Sequence, residues 1–252
     1  MLNGDSRIKL IPPVESRSYL NITLSALRKF GIEIEEQENL YIIKGNQKYI
    51  SPKEITVDGD WSNSSFFLCA GALNEKGVTV EDLDINSPQG DKAILDILRK
   101  MGAEVKIDGT EVTVKKNKLN GITVDAGDIP DAVPIISVVA SACDGETRII
   151  NAGRLRIKES DRIKSVVDML TAVGGKVEET TDGMIIYGGA ELKGGTVEGS
   201  NDHRIVMSGA ILSILCKENV TITDYKAVEK SYPHFFKDFN KMGGNANVIN
   251  DR

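Results

Sequence analysis

Apolar positions along this chain follow two rhythms. FFLCAGAL, AVPIISVVASAC and RIVMSGAILSILC are apolar on nearly every side, the mark of helices buried all round. KAILDILRKM and RIKSVVDMLTAV instead set charges against apolar residues at helical period, which predicts helices with one solvated face. Short runs rich in β-branched residues separate the two kinds, among them ITVDGD, ITVDAGD and GTVEGS. Each of these ends in an acidic residue and a Gly-containing turn, with Ser, Asp or Asn ready to cap the helix that follows.

The pattern repeats. ALRKFGIEI, ILRKMGAEV, MLTAVGGKV and FNKMGGNANV all read as a helix closed by glycine and then a short strand. Their glycines, Gly31, Gly102, Gly174 and Gly243, recur at intervals of about 70 residues. Each full unit therefore predicts strand, buried helix, strand, amphipathic helix and a closing strand pair. The pairs are expected to turn at Asp108-Gly109 and at Asp182-Gly183. Three units would pack their apolar helices together and turn their sheets outward, an α/β (α+β) architecture of βαβαββ repeats. Counted back from Gly31, the strand and buried helix of the first unit fall before residue 1. The expectation is a chain that forms the C-terminal part of something longer, or that needs a partner segment.

Composition narrows the chemistry. A net charge of −6 supplies no general attraction for nucleic acid or an anionic membrane. Cys69, Cys143 and Cys216 lie far apart within apolar segments, the pattern of reduced, buried thiols in a cytoplasmic protein. Two histidines are too few for a histidine-rich metal site. No cofactor is expected.

One stretch breaks the pattern: RLRIKESDRI, Arg154 to Ile163, has six charged residues at the mouth of an amphipathic helix. Read locally, Glu159 and Arg162 are a surface ion pair of little energetic weight, and Asp131 and Asp202 are helix N-caps. The repeat argues further. Asp131 starts the buried helix of one unit, and Asp202, His203 and Arg204 start that of the next, where Ser62, Asn63 and Ser64 stand in the unit before. Equivalent ends of packed repeats share one end of the domain. Arginine next to an all-apolar helix asks for a polar cavity, and guanidinium with helix N-terminus makes an anion site.

RIKESDRI, NDHRIVMSGA, DIPDA and KSYPHFF, in that order and spacing, resemble 5-enolpyruvylshikimate-3-phosphate synthases, the 3-phosphoshikimate 1-carboxyvinyltransferases. SRSYLNITLSALRKFGIEI and TVDGDWSNSSFFLCAGAL are similar to that family's middle section. The resemblance covers essentially the whole chain but roughly the C-terminal three-fifths of a family member. It implies enolpyruvyl transfer from phosphoenolpyruvate to the 5-hydroxyl of shikimate 3-phosphate, with release of phosphate. Both substrates are anions, which accounts for the gathered charge.

By the same resemblance, Asp131 contacts the shikimate hydroxyls and serves as a base, and Glu159 moves a proton at the phosphoenolpyruvate methylene. Lys158 lies near the shikimate ring. Arg162, Arg204 and Lys230 bind phosphoenolpyruvate, flanked by Asp202 and His203, while Ser16 and Tyr19 contact the 3-phosphate. The family builds its site between two domains of three βαβαββ units each. Residues 1–52 would then end the first domain and residues 53–252 form most of the second, with the crossover near KGNQKYISPKEI as hinge. The family's N-terminal lysine, glycine-rich loop and Ser-Ser-Gln site have no counterpart here, so one wall of a site and negligible activity alone are expected. The alternatives are a non-catalytic binding or assembly fragment completed by a partner, a UDP-N-acetylglucosamine enolpyruvyl transferase relative and, disfavoured by acidic charge, an RNA 3′-phosphate cyclase.

Overall fold

A computed structural model describes residues 2–12, 14 and 17–249. It opens with β1 (Ser6–Lys9), α1 (Arg17–Lys29), β2 (Ile34–Gln37) and β3 (Leu40–Ile43), whose strands form a sheet in the order β1-β3-β2. The next unit holds α2 (Trp61–Ala72), β4 (Val78–Val80), α3 (Ile94–Met101), β5 (Glu104–Asp108) and β6 (Glu111–Lys115), in the sheet order β4-β6-β5. Its successor contains β7 (Thr123–Asp125), α4 (Val133–Ser141), β8 (Glu146–Ile150), α5 (Arg162–Ala172), β9 (Lys176–Thr180) and β10 (Gly183–Tyr187). That sheet runs β7-β8-β10-β9, with β7 parallel to β8 and the rest antiparallel. The last unit has β11 (Gly195–Val197), α6 (His203–Leu212), β12 (Val220–Ile222) and α7 (Phe235–Lys241), with β11 parallel to β12.

The repeat glycines do what their spacing requires. Gly31, Gly102, Gly174 and Gly243 all take positive φ, between 75° and 105°. At each, the glycine N–H bonds a carbonyl three residues back and the next N–H bonds one five back, from Ile32 to Leu27, Ala103 to Leu98, Gly175 to Leu170 and Gly244 to Phe239. This left-handed cap uses carbonyls that the helix leaves open, and it turns the chain into the following segment.

The apolar helices α2, α4 and α6 pack against one another at the centre, and α3 and α5 cover them. Strands alternate accordingly: Val112 and Val114 of β6, and Thr147 and Ile149 of β8, are buried between more exposed neighbours. The apolar core extends from Trp61 to Phe239 and takes in no described residue of 1–52. In that first stretch Leu24, Ile32 and Tyr41 are buried, while Ile8, Ile11, Tyr49 and Ile50 stand exposed. All three cysteines are free thiols; Cys69 and Cys143 are buried, and burial pushes the Cys143 thiol up to about 12. Among the described residues no helix is long and apolar enough to cross a membrane.

Four expectations need correction. Residues 244–249, read as a short strand after Gly243, form no strand, because they meet no partner strand. Residues 55–57 form no strand, and Val57 is 87% exposed; the equivalent β7 and β11 each have a parallel partner that this run does not pair with. Both hairpins are displaced by one residue. Asp108 pairs with Glu111, so Gly109-Thr110 makes that turn, while Gly183 pairs with Thr180, so Thr181-Asp182 makes the other. Finally, the residue equivalent to Asp202 in the first full unit is Asp60, since both cap their helices.

Candidate active site

Local sequence sets the helix starts. Asp161 caps α5 by accepting from the Lys164 N–H at 3.1 Å, and Asp202 caps α6 by accepting from the Arg204 N–H at 2.9 Å. Asp131 caps nothing: it sits in a 3-10 turn, Pro130–Ala132, that leads into α4. Its carboxylate is thus free for side-chain partners. Packing of α4, α5 and α6 brings Asp131, Arg162 and Asp202 together.

Arg162 is the hub. Its side chain is 1% exposed, and it donates from Nε to Asp202 Oδ2 at 2.7 Å and from Nη1 to Asp131 Oδ1 at 2.7 Å. Nη2 donates to Glu159 Oε2 at 2.6 Å and to Asp202 Oδ1 at 3.2 Å. Asp131 also meets Lys158 Nζ at 3.3 Å and Arg204 Nη2 at 3.7 Å, and it accepts from the Tyr19 hydroxyl at 2.8 Å. Three carboxylates therefore interlock with Arg162, Arg204 and Lys158. Charges this deeply placed persist because each has a partner.

The electrostatics follow from that lattice. Burial raises the Asp131 carboxyl, but Arg204, Arg162 and Lys158 outweigh burial and hold it well below the usual carboxylate range. Asp202, fully buried, is likewise lowered, because hydrogen bonding and attraction from Arg162 overcome its desolvation. Burial and the nearby Asp131 raise the Tyr19 phenol, which keeps it a hydrogen-bond donor. Desolvation and then Arg204 lower the His203 imidazole, which favours its neutral form. Glu159, 40% exposed, stands at the rim.

Among the described residues five buried side-chain atoms lack a hydrogen-bond partner, and two of them are nitrogens of this site, Arg204 Nε and His203 Nδ1. The Arg204 guanidinium carbon lies 6.0 Å above the Phe66 ring, and Nη1 donates to the Asp131 carbonyl at 3.3 Å. A buried N–H without an acceptor costs about 1–3 kcal/mol. Oxygens of an anionic ligand would remove that cost. Among the described residues no cluster of His, Cys, Asp and Glu suits a metal ion.

Of the residues singled out in the sequence, Tyr19, Asp131, Lys158, Glu159, Arg162, Asp202 and Arg204 meet in one network. Lys230 is tied to it indirectly, through a hydrogen bond from Nζ to the Asn201 carbonyl beside Asp202. Ser16 lies outside the described residues.

The family described as EPSP synthase (3-phosphoshikimate 1-carboxyvinyltransferase) matches residues 1–239. This chain belongs to the EPSP synthase family. A 3-phosphoshikimate 1-carboxyvinyltransferase of Clostridium novyi is 50% identical over 244 residues, which are 96% of this chain and 56% of that protein. One from Clostridioides difficile is 44% identical over 245 residues, again 56% of its length. The chain thus spans a little over half the length of the curated relatives it matches. An EPSP synthase structure from Acinetobacter baumannii superposes with a TM-score of 0.83 at 26% identity, covering 98% of this chain and 58% of that one. The enolpyruvyl transferase NikO from Streptomyces tendae shares the fold, with a TM-score of 0.79 at 19% identity over 96% of this chain and 56% of its own.

Within this member of the EPSP synthase family, the motifs left Asp91 unread. It opens the turn before α3, and burial raises its carboxyl against the Ser62 hydroxyl and the Arg204 charge. The repeat held the signal: QGDK precedes one amphipathic helix as KESDR precedes the next. Ser160, which donates to Asp202 Oδ2 at 3.0 Å, was also passed over.

Proposed function

We propose that this chain supplies one wall of an enolpyruvyl transferase site, in which phosphoenolpyruvate and the 5-hydroxyl of shikimate 3-phosphate react with release of phosphate. Residues 1–52 would close a first domain and residues 53–252 form most of a second, in a cytoplasmic protein. Supporting this division, the core excludes the first stretch, and several apolar side chains there stand exposed. The observation that carries the reading is the Arg162 hub. It gathers two candidate proton carriers, Asp131 and Glu159, around cations able to hold carboxylate and phosphate.

The roles follow from placement. Arg204, with its unpartnered buried Nε, takes an oxygen of phosphoenolpyruvate, and Arg162 holds the anion's other side with Glu159 beside it at the rim. Lys230 joins them from the Asn201 side. In the addition step the 5-hydroxyl oxygen bonds to C2 of phosphoenolpyruvate, the hydroxyl proton leaves and the methylene carbon gains a proton. Elimination then takes a proton from the methyl group and expels phosphate. Glu159 is suited to give and retrieve the proton at carbon. The lowered Asp131 carboxylate is a weak base while three cations hold it. It serves first to orient the shikimate hydroxyls, and gains basicity as ligand oxygens draw Arg162 and Arg204 away. Tyr19 reaches the same ligand from α1.

Charge balance accounts for the need of a second wall. Arg162, Arg204, Lys158 and Lys230 are matched here by Asp131, Glu159, Asp202 and Asp91, so a pair of anionic substrates needs further cations from the remaining part of the family's length. Phosphate release from phosphoenolpyruvate plus shikimate 3-phosphate, by this chain alone and mixed with the N-terminal segment of a family member, tests the reading. Release in the mixture, lost on Glu159→Ala, supports it; a silent mixture in which both segments are folded and associated overturns it.

A further inference from the structure

We infer that Arg156 is a positioning residue, a staple that holds both ends of the loop presenting Lys158 and Glu159; as an account of catalysis this rests on the function proposed above. Five residues, Arg156 to Ser160, bridge the buried Leu155 to the α5 cap at Asp161. Arg156 sits at the entry of that bridge and spends its guanidinium on its exit and on the neighbouring hairpin. Nη1 donates to Asp161 Oδ2 at 3.0 Å, Nη2 to the Thr180 carbonyl at 2.9 Å, and Nε to the Thr181 carbonyl at 3.3 Å. Nη2 also pairs with Glu179 Oε1 at 2.8 Å. Asp161 is shared: Oδ2 takes Arg156, and Oδ1 caps α5, whose first residue is the Arg162 hub.

An ordinary surface ion pair fixes nothing. This one closes a ring that spans loop entry, loop exit and the β9–β10 turn, so the loop has no hinge left at either end. Two of the acceptors are backbone carbonyls at adjacent residues, which suit a planar fork and not a single ammonium. Lysine at 156 would keep the charge and lose the ring. The loop's other ties are made by its own side chains within the site, Ser160 on Asp202, Lys158 on Asp131 and Glu159 on Arg162. Without the staple, Lys158 and Glu159 would move relative to Asp131 and Arg162, and misplacement of about 1 Å is enough to cost ~10²-fold in rate.

The test compares the unsubstituted chain with R156K, R156A and E179Q, and with R99A as a control that removes an exposed arginine from an unrelated pair with Asp96. Amide hydrogen exchange in the chain itself is expected to rise about tenfold over residues 157–161 in R156A and R156K, with the rest of α5 unchanged. In the reconstituted pair kcat falls ~10- to 100-fold while KM changes little; E179Q falls between, and R99A matches the unsubstituted chain. Should R156A not fold, R156K carries the comparison, because it retains the charge and the buried Leu155 beside it. Unchanged exchange over 157–161 overturns the inference, as does a lowered Tm with kcat per folded molecule intact. Absence of phosphate release by the unsubstituted pair counts against the proposed reaction instead, and the exchange comparison still decides whether Arg156 holds the loop.

Discussion

Replacing Arg162 with leucine removes the centre of the charge lattice, and its cost can be worked partner by partner. Glu159 is 40% exposed and returns to water, so its loss is about 0–1 kcal/mol. Asp131, 13% exposed, keeps Tyr19, Lys158 and Arg204, and its share is similarly about 1 kcal/mol. Asp202 decides the outcome. It is fully buried, and without Arg162 its partners among the described residues are the Ser160 hydroxyl, the Arg204 N–H and, at 3.9 Å, the His203 imidazole. Stranding a buried charge in this way costs roughly 3–5 kcal/mol. For a chain of this size that lowers Tm by roughly 6–20 °C.

The sign with pH is equally specific. With Arg162 in place the Asp202 carboxyl is depressed, so its stabilising contribution is present above the unfolded value near 4 and is lost as pH falls through the folded value. In Arg162→Leu the carboxyl is raised instead, so the penalty is full at pH 7 and shrinks as Asp202 protonates on acidification. Urea denaturation at pH 7 and pH 5 measures the second, and extending it to about pH 3, below the unfolded carboxylate value, measures the first. Adding Asp202→Asn to Arg162→Leu should restore ~1–3 kcal/mol relative to the sum of the single changes. A loss under about 1 kcal/mol at pH 7, or strict additivity of the two substitutions, would refute the reasoning.

Glu159→Gln should leave Tm nearly unchanged while phosphate release by the reconstituted pair falls ~10²- to 10⁴-fold, as followed in a coupled phosphate assay. His203, lowered by burial, binds its proton in the unfolded chain before it does in the folded one; stability is therefore level above about pH 6.5 and declines below it, and Tm measured from pH 7 to 5 should lose that slope in His203→Gln. Gly102→Ala places a Cβ against the Lys118 carbonyl at φ 105°, whereas Gly243→Ala meets nothing within 4 Å at φ 100°. Denaturant midpoints should show the first costing more than the ~1 kcal/mol expected of the second.

Local pattern alone determined much of this protein. The all-apolar runs of α2, α4 and α6 mark buried helices whatever their neighbours, because burial on every side leaves no polar face. Glycine is required at Gly31, Gly102, Gly174 and Gly243 by the backbone itself, which is why four distant positions were legible as one recurring cap. Charged motifs around Glu159 and Asp202, and the family resemblance they carry, could likewise be read one residue after another.

The tertiary structure decided whatever depends on how one repeat sits on the next. Asp131 looks like a cap in sequence and turns out to be a ligand of Arg162, because a 3-10 turn and not its carboxylate opens α4. The one-residue displacement of both hairpins reflects pairing energy along whole strands, which a two-residue turn signal does not contain. Tyr19 meets Asp131 across 112 positions, and Arg156 finds carbonyls 24 and 25 residues away. Periodicity reports which face of an element is apolar. Which acceptor a buried guanidinium finds is a property of the packed repeats, since only their packing sets the distances on which charge interactions depend.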